Sequence, residues 1–185
     1  MNRERKAKDF LMQRIILILS SFALITLTLM RYPRSPHVLP PVHVDLPKLS
    51  TPTPESNIFD PTSGALYFYH SHRENEQGHF HTFLSDADQS VHHHLIALAI
   101  DASGKPVALF TTNDWVTGEE MLPHSKLIER IDNFVFLDDN ATSHYLQTLL
   151  KMLAPQVQEL LKARDEILEK HKLGRYEIVT YLPLQ

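Results

Sequence analysis

The stretch Tyr69-His70-Ser71-His72-Arg73-Glu74-Asn75-Glu76-Gln77-Gly78-His79-Phe80-His81 puts four histidines, one arginine and two glutamates into thirteen consecutive positions. Before it, Leu66 to His72 is aromatic-rich and alternating; after it, Gly78 to Leu84 resumes the pattern. Between them the polar run Arg73 to Gln77 has the composition of a turn, so the segment predicts a β-hairpin. Side chains two apart on a strand share a face, which pairs His70 with His72 and His79 with His81. Placing His72 opposite His79 also places His70 opposite His81 and brings four imidazoles to one side. A slip of one residue would send the two pairs to opposite faces.

Downstream, His92 to Ile100 is apolar on both faces and reads as a central strand covered on each side. Asp101 to Pro106 is a hairpin turn into a further strand, Val107 to Thr111. A short helix follows, with Pro123 suited to its first turn and Leu127, Ile128 and Ile131 on one side. Phe134 to Leu137 fits another strand. From Ser143 to Lys172 the residues Leu146, Leu149, Leu150, Leu153, Val157, Leu160, Leu161 and Leu168 recur at helical steps. Pro155 interrupts this run and predicts either a kink or two helices joined near Ala154. Gly174 is placed to end it, and Tyr176 to Tyr181 reads as the last strand. The fold class is therefore α+β: an antiparallel sheet packed with C-terminal helices over residues 62–185.

Upstream of the domain the sequence changes character. Ile15 to Met30 carries no charge, follows a basic flank over residues 1–14, and closes on Arg31 and Tyr32. Residues 15–32 read as one N-terminal transmembrane helix, with Arg14 able to snorkel. Residues 1 to 30 hold 5 basic against 2 acidic side chains, or +3, and the remainder 13 against 20, or −7. The basic flank favours a cytoplasmic N-terminus and an extracytoplasmic domain, hence a single-pass membrane protein facing the periplasmic side. A cleaved signal peptide, or a true start at Met30, are the rival readings; no small-x-small cleavage site follows the apolar run. Residues 33–61 form a proline-rich linker, since eight of the twelve prolines fall between Arg31 and Pro61. The alternation of Val42, Val44 and Leu46 leaves open an arm lying on the domain instead.

Composition narrows the chemistry. With no cysteine, disulfides, iron–sulfur clusters and thiol catalysis are excluded, and any metal must use histidine and carboxylate ligands. An acidic domain without a basic stripe argues against nucleic acid as a partner. The candidate metal ligands are His70, His72, His79 and His81, with Glu76 from the turn, and the ion a divalent zinc, iron, copper or nickel. Arg73 is the candidate for holding an anionic substrate, and a catalytic version would be a metal-assisted hydrolase or oxygenase. The spacing from Gly64 through His70 and His72 to Glu76 resembles half of the cupin metal motif, but the later glycine position holds Phe83 and no second half follows. The bland alternative is a set of histidines solvated or bonded to Glu74, Asp86 and Asp88. Of His92, His93 and His94, only His92 and His94 could join the cluster, and His37, His43, His124, His144 and His171 read as structural.

A second constellation runs from Thr111 to Glu119. Asn113, Trp115 and Glu119 are candidate ligand contacts there, because an indole beside polar groups at a strand end makes a common binding wall. Its bland reading is helix capping by Thr117 with Glu120. Used without a metal, this loop would make the domain an envelope protein-interaction module, with a protein partner or small-molecule substrate that the sequence does not name.

The run His70-x-His72-Arg73, then Gly78-His79-Phe80-His81-x-Phe83, then Leu109-Phe110-Thr111-Thr112-Asn113-x-Trp115-Val116-Thr117-Gly118-Glu119, then Arg164-Asp165, resembles a bacterial domain family of unknown function. The resemblance covers most of residues 62 to 172 and departs at Asp114, where an arginine is usual. It implies that the histidine hairpin and the tryptophan loop belong to one recurring domain, and it brings no established activity.

Overall fold

The computed structural model describes residues 36–50, 57–74, 76–118, 120–170 and 176–185. The membrane-helix reading of residues 15–32 falls outside the described residues, as do Glu119, His171 and Gly174. No helix among the described residues is long and apolar enough to cross a membrane.

Among the described residues, seven strands form one sheet: β1 (His37–Val38), β2 (Asn57–Phe59), β3 (Ala65–His70), β4 (Gly78–Ser85), β5 (His92–Ile100), β6 (Pro106–Thr112) and β7 (Ile178–Pro183). Their order is β1-β7-β6-β5-β4-β3-β2. The sheet is mixed rather than purely antiparallel, because β1 runs parallel to β7 while every other neighbour is antiparallel. The part of the proline-rich segment over residues 36–50 is thus an arm on the sheet edge. Leu39 and Val42 donate their amides to the carbonyls of Tyr181 and Pro183, and Leu39 and Leu49 are buried. The arm ends against the β5–β6 turn, where the Leu49 amide donates to Gly104 O at 2.9 Å. Gly104 has φ +76 and lies so close to the Leu49 backbone that a side chain would not fit.

Among the described residues the helices are α1 (Asp114–Thr117), α2 (His124–Ile128), α3 (Ala141–Met152) and α4 (Ala154–Lys170). The long helical signal is two helices because Pro155 sits in the first turn of α4, where its missing N–H is not needed. Asn140 caps α3 by accepting from the amides of Thr142 and Ser143. Phe134 to Leu137 is not a strand; it follows a single 3-10 turn at Ile131–Asn133, and Phe134 and Phe136 plug the core from irregular backbone. Leu146, Leu149, Leu150, Leu153, Val157, Leu160 and Leu161 pack on the sheet face that carries Tyr67, Phe80, Leu98 and Leu109. Helices α2, α3 and α4 therefore cover one face of the sheet, and the opposite face carries the hairpin histidines.

One buried ion pair ties α4 to the segment before α2. Arg164, 1% exposed, donates to Asp165 and to the Leu122 carbonyl, and Asp165 accepts from the His124 amide and ring. His124 and the Arg164-Asp165 pair are accordingly structural.

Candidate functional site

The hairpin forms, with a register two residues from the expected one. His70 lies opposite His79 and Phe68 opposite His81, and β3 ends at His70, so His72 sits in the turn. A slip of two preserves the face, so the four imidazoles still meet. Ring centres are 5.8 Å apart for His70 and His79, 5.5 Å for His70 and His81, 5.0 Å for His72 and His79, and 4.9 Å for His79 and His81. Gly78 permits this close approach: a Cβ there would collide with the Tyr69 ring and come within 2.6 Å of the His70 carbonyl oxygen.

A fifth imidazole joins through a β-bulge. Thr82 pairs with Ile96 and Phe83 with His94, leaving Leu95 as the extra residue. The Thr82 hydroxyl fills the gap by donating to the Ile96 carbonyl at 2.7 Å. The bulge turns His94 onto the cluster face, where its Nε2 lies 3.0 Å from Nδ1 of His81. His93 goes to the helix-covered face and bonds Asp86 and the Glu120 carbonyl, whereas His92 bonds Ser85 and packs on Phe59 at the cluster's margin. Alanines keep the floor low beneath these rings: Ala97 is opposite His81, and Ala99 is opposite His79.

Glu76 does not point a free carboxylate into the cluster. It accepts from Nδ1 of His79, a ring that is 0% exposed. That contact fixes the His79 tautomer and leaves Nε2 as the lone-pair nitrogen, buried and without a hydrogen-bond partner among the described residues. Arg73 likewise has its charge matched: its guanidinium lies 4.5 Å from the Phe110 ring centre and pairs with Glu177. Burial, reinforced by neighbouring imidazoles, holds His70 and His81 below the usual histidine range. Burial first, then Arg164 and His79, pushes His94 down to about 3. These three rings are therefore neutral at physiological pH, the form in which imidazole binds a metal. No three His, Asp or Glu side chains among the described residues have their donor atoms arranged to hold an ion in this geometry.

Beside the cluster is a cleft of about 370 Å³ lined by His70, His72, His81, Phe68, Phe83, Val116, Thr117 and Glu177. One wall is the tryptophan loop seen from its inner side. Asn113 caps α1 by accepting from the Asp114 amide, which corrects the expected Thr117 and Glu120 cap. Trp115 is 58% exposed and is not among the cleft residues, so Val116 and Thr117 make the wall instead. Sequence reasoning missed Glu177, which lies just ahead of β7, and Phe110 of β6, neither of which carries a local signal linking it to the hairpin.

A family model described as a domain of unknown function, DUF6969, matches residues 50–180. The chain belongs to this family. The matched DUF6969 span contains both the histidine hairpin and the tryptophan loop, and with them every residue of the cleft. No curated protein and no solved structure matches the chain.

Proposed function

We propose that this domain binds a divalent transition metal (zinc, iron, copper or nickel) at the histidine face, with His79 as the anchoring ligand. The observation that carries the reading is the Glu76–His79 pair: a carboxylate on Nδ1 and a buried, unpartnered Nε2 directed among other imidazoles. Metal-binding histidines characteristically give their second nitrogen to a carboxylate, which orients the ring and raises its basicity. Glu76 then acts on His79 rather than on the ion. Imidazoles on a tetrahedral zinc place their ring centres about 5 Å apart, given Zn–N bonds of about 2 Å. The contacts among His70, His72, His79 and His81 fall close to that spacing, at 4.9 to 5.9 Å. Convergence of the donors then needs ring rotation rather than backbone movement, and His70 and His72, which are exposed, are the rings free to turn. General-base catalysis by His79 is disfavoured, because a fully buried nitrogen does not reach a substrate in the cleft.

The test is elemental analysis of the full-length protein, purified without a polyhistidine tag and challenged with a chelator. About one equivalent of metal in the wild type, lost in His79→Ala, supports the reading; a folded protein that neither carries nor takes up metal overturns it.

The second reading is a metal-free interaction module, favoured by the exposed indole of Trp115. It predicts a partner whose binding survives His79→Ala and fails with Trp115→Ala. We further infer from the uncharged run over residues 15–30 that the domain is held at a membrane on its extracytoplasmic side. Recovery of the protein in the membrane fraction, and protease access from the periplasmic side alone, would bear this out.

A further inference from the structure

We propose that the cleft beside the histidine cluster takes a monoanion, a carboxylate on a small apolar or aromatic body. This inference rests on the metal reading and deepens it. Among the described residues, the charged side chains that touch the cluster or line the cleft are Arg73, Glu76 and Glu177. They sum to −1, and Arg164 behind His94 is matched by Asp165. A divalent ion brings the local sum to +1, and charges in a partly desolvated site are stable when balanced. One negative charge on the incoming ligand completes that balance, whereas a dianion would overshoot it.

The remaining wall decides the body of the ligand. Phe68 and Phe83 meet edge to face at 5.5 Å, and Val116 faces the same space. The cleft, at about 370 Å³, lies at the small end of ligand pockets. Among the described imidazoles only His70, His72 and His81 reach it, so a carboxylate bound from the cleft would meet the ion on its exposed side while His79 holds it from below. Thr117 adds a hydroxyl on the α1 side for a second polar contact.

The probe is para-fluorobenzoate, followed by fluorine NMR on the full-length, tag-free protein, first loaded with zinc and then stripped of it, with acetate as competitor. The proposal expects binding to the loaded protein about tenfold or more tighter than acetate, little binding to the stripped protein, and loss of the aromatic preference in Phe68→Ala. Phe68 is only half-buried, and circular dichroism reports whether the variant folds. Val116→Glu gives an independent check: it cancels the positive sum at the rim and should weaken the anion without touching the aromatic pair. Equal affinity for both carboxylates, equal binding with and without zinc, or indifference to both substitutions overturns the inference while leaving zinc retention as measured. Failure to retain zinc removes the metal reading and this inference together.

Discussion

Glu76 accepts a hydrogen bond from Nδ1 of His79, three residues further on and across the mouth of the hairpin, and so selects which nitrogen of that buried ring is left for other use. Replacing Glu76 with Gln keeps the size of the side chain and removes the charge that raises the basicity of His79. The expected result is zinc affinity weaker by about 10- to 100-fold with secondary structure intact. Competition against a chromophoric chelator measures it, and an unchanged affinity would show that Glu76 does not tune a ligand.

Acid should weaken the fold through the histidine face. His94 takes a proton at 6.5 in the unfolded chain and only at about 3 when folded. Between those values the unfolded state binds more protons, so stability is complete above about 6.5 and falls as the pH drops, by about 1.4 kcal/mol per pH unit for one such group. His81, lowered in the same direction, adds to the slope. Urea unfolding from about pH 7 to about pH 5 should give a steeper loss in the wild type than in His94→Gln.

Gly78→Ala should be disproportionately costly for one methyl group. The new Cβ collides with Tyr69 and the His70 backbone, so β3 and β4 must separate where His70 faces His79. A loss of about 1–3 kcal/mol in urea unfolding is expected, the usual range for overpacking. Metal affinity should fall with it, and an unperturbed midpoint would mean that the hairpin does not need this close approach.

The Arg164 and Asp165 pair predicts an asymmetry. Asp165→Asn leaves a buried guanidinium without its carboxylate and weakens the hold on the start of α2, with an expected cost of about 3 kcal/mol. Arg164→Met removes the buried charge itself and should cost less. Thermal denaturation of the two variants side by side checks the order.

Much of the sheet was legible because its strands are marked locally. The alternation around Tyr69, the double-sided apolar run to Ile100 and the Asp101 to Pro106 turn each fall within one window of sequence. The break at Pro155 was legible for the same reason. The two-residue register difference was not, since it depends on how Gly78 packs under Tyr69, and the recruitment of His94 depends on a bulge at Thr82 that no residue pattern announces. Phe134 to Leu137 has the composition of a strand, yet its aromatic rings are used to fill the core from an irregular segment. Arg73 was read as a ligand contact because its partner Glu177 lies at the far end of the chain and is brought near only by the strand order.

The arm over residues 36–50 has a bearing on self-association. Without it β7 would present a bare row of amides and carbonyls, the surface on which two sheets join edge to edge. Parallel pairing of His37 and Val38 with β7, the bridge from Val42 to Leu184, and burial of Leu39 and Leu49 cover that row. Pro36, Pro40, Pro41 and Pro47 lack the amide protons that a further strand would need. The prolines that read as a spacer thus end the sheet, and a version of the protein beginning at residue 58 should multimerise through β7.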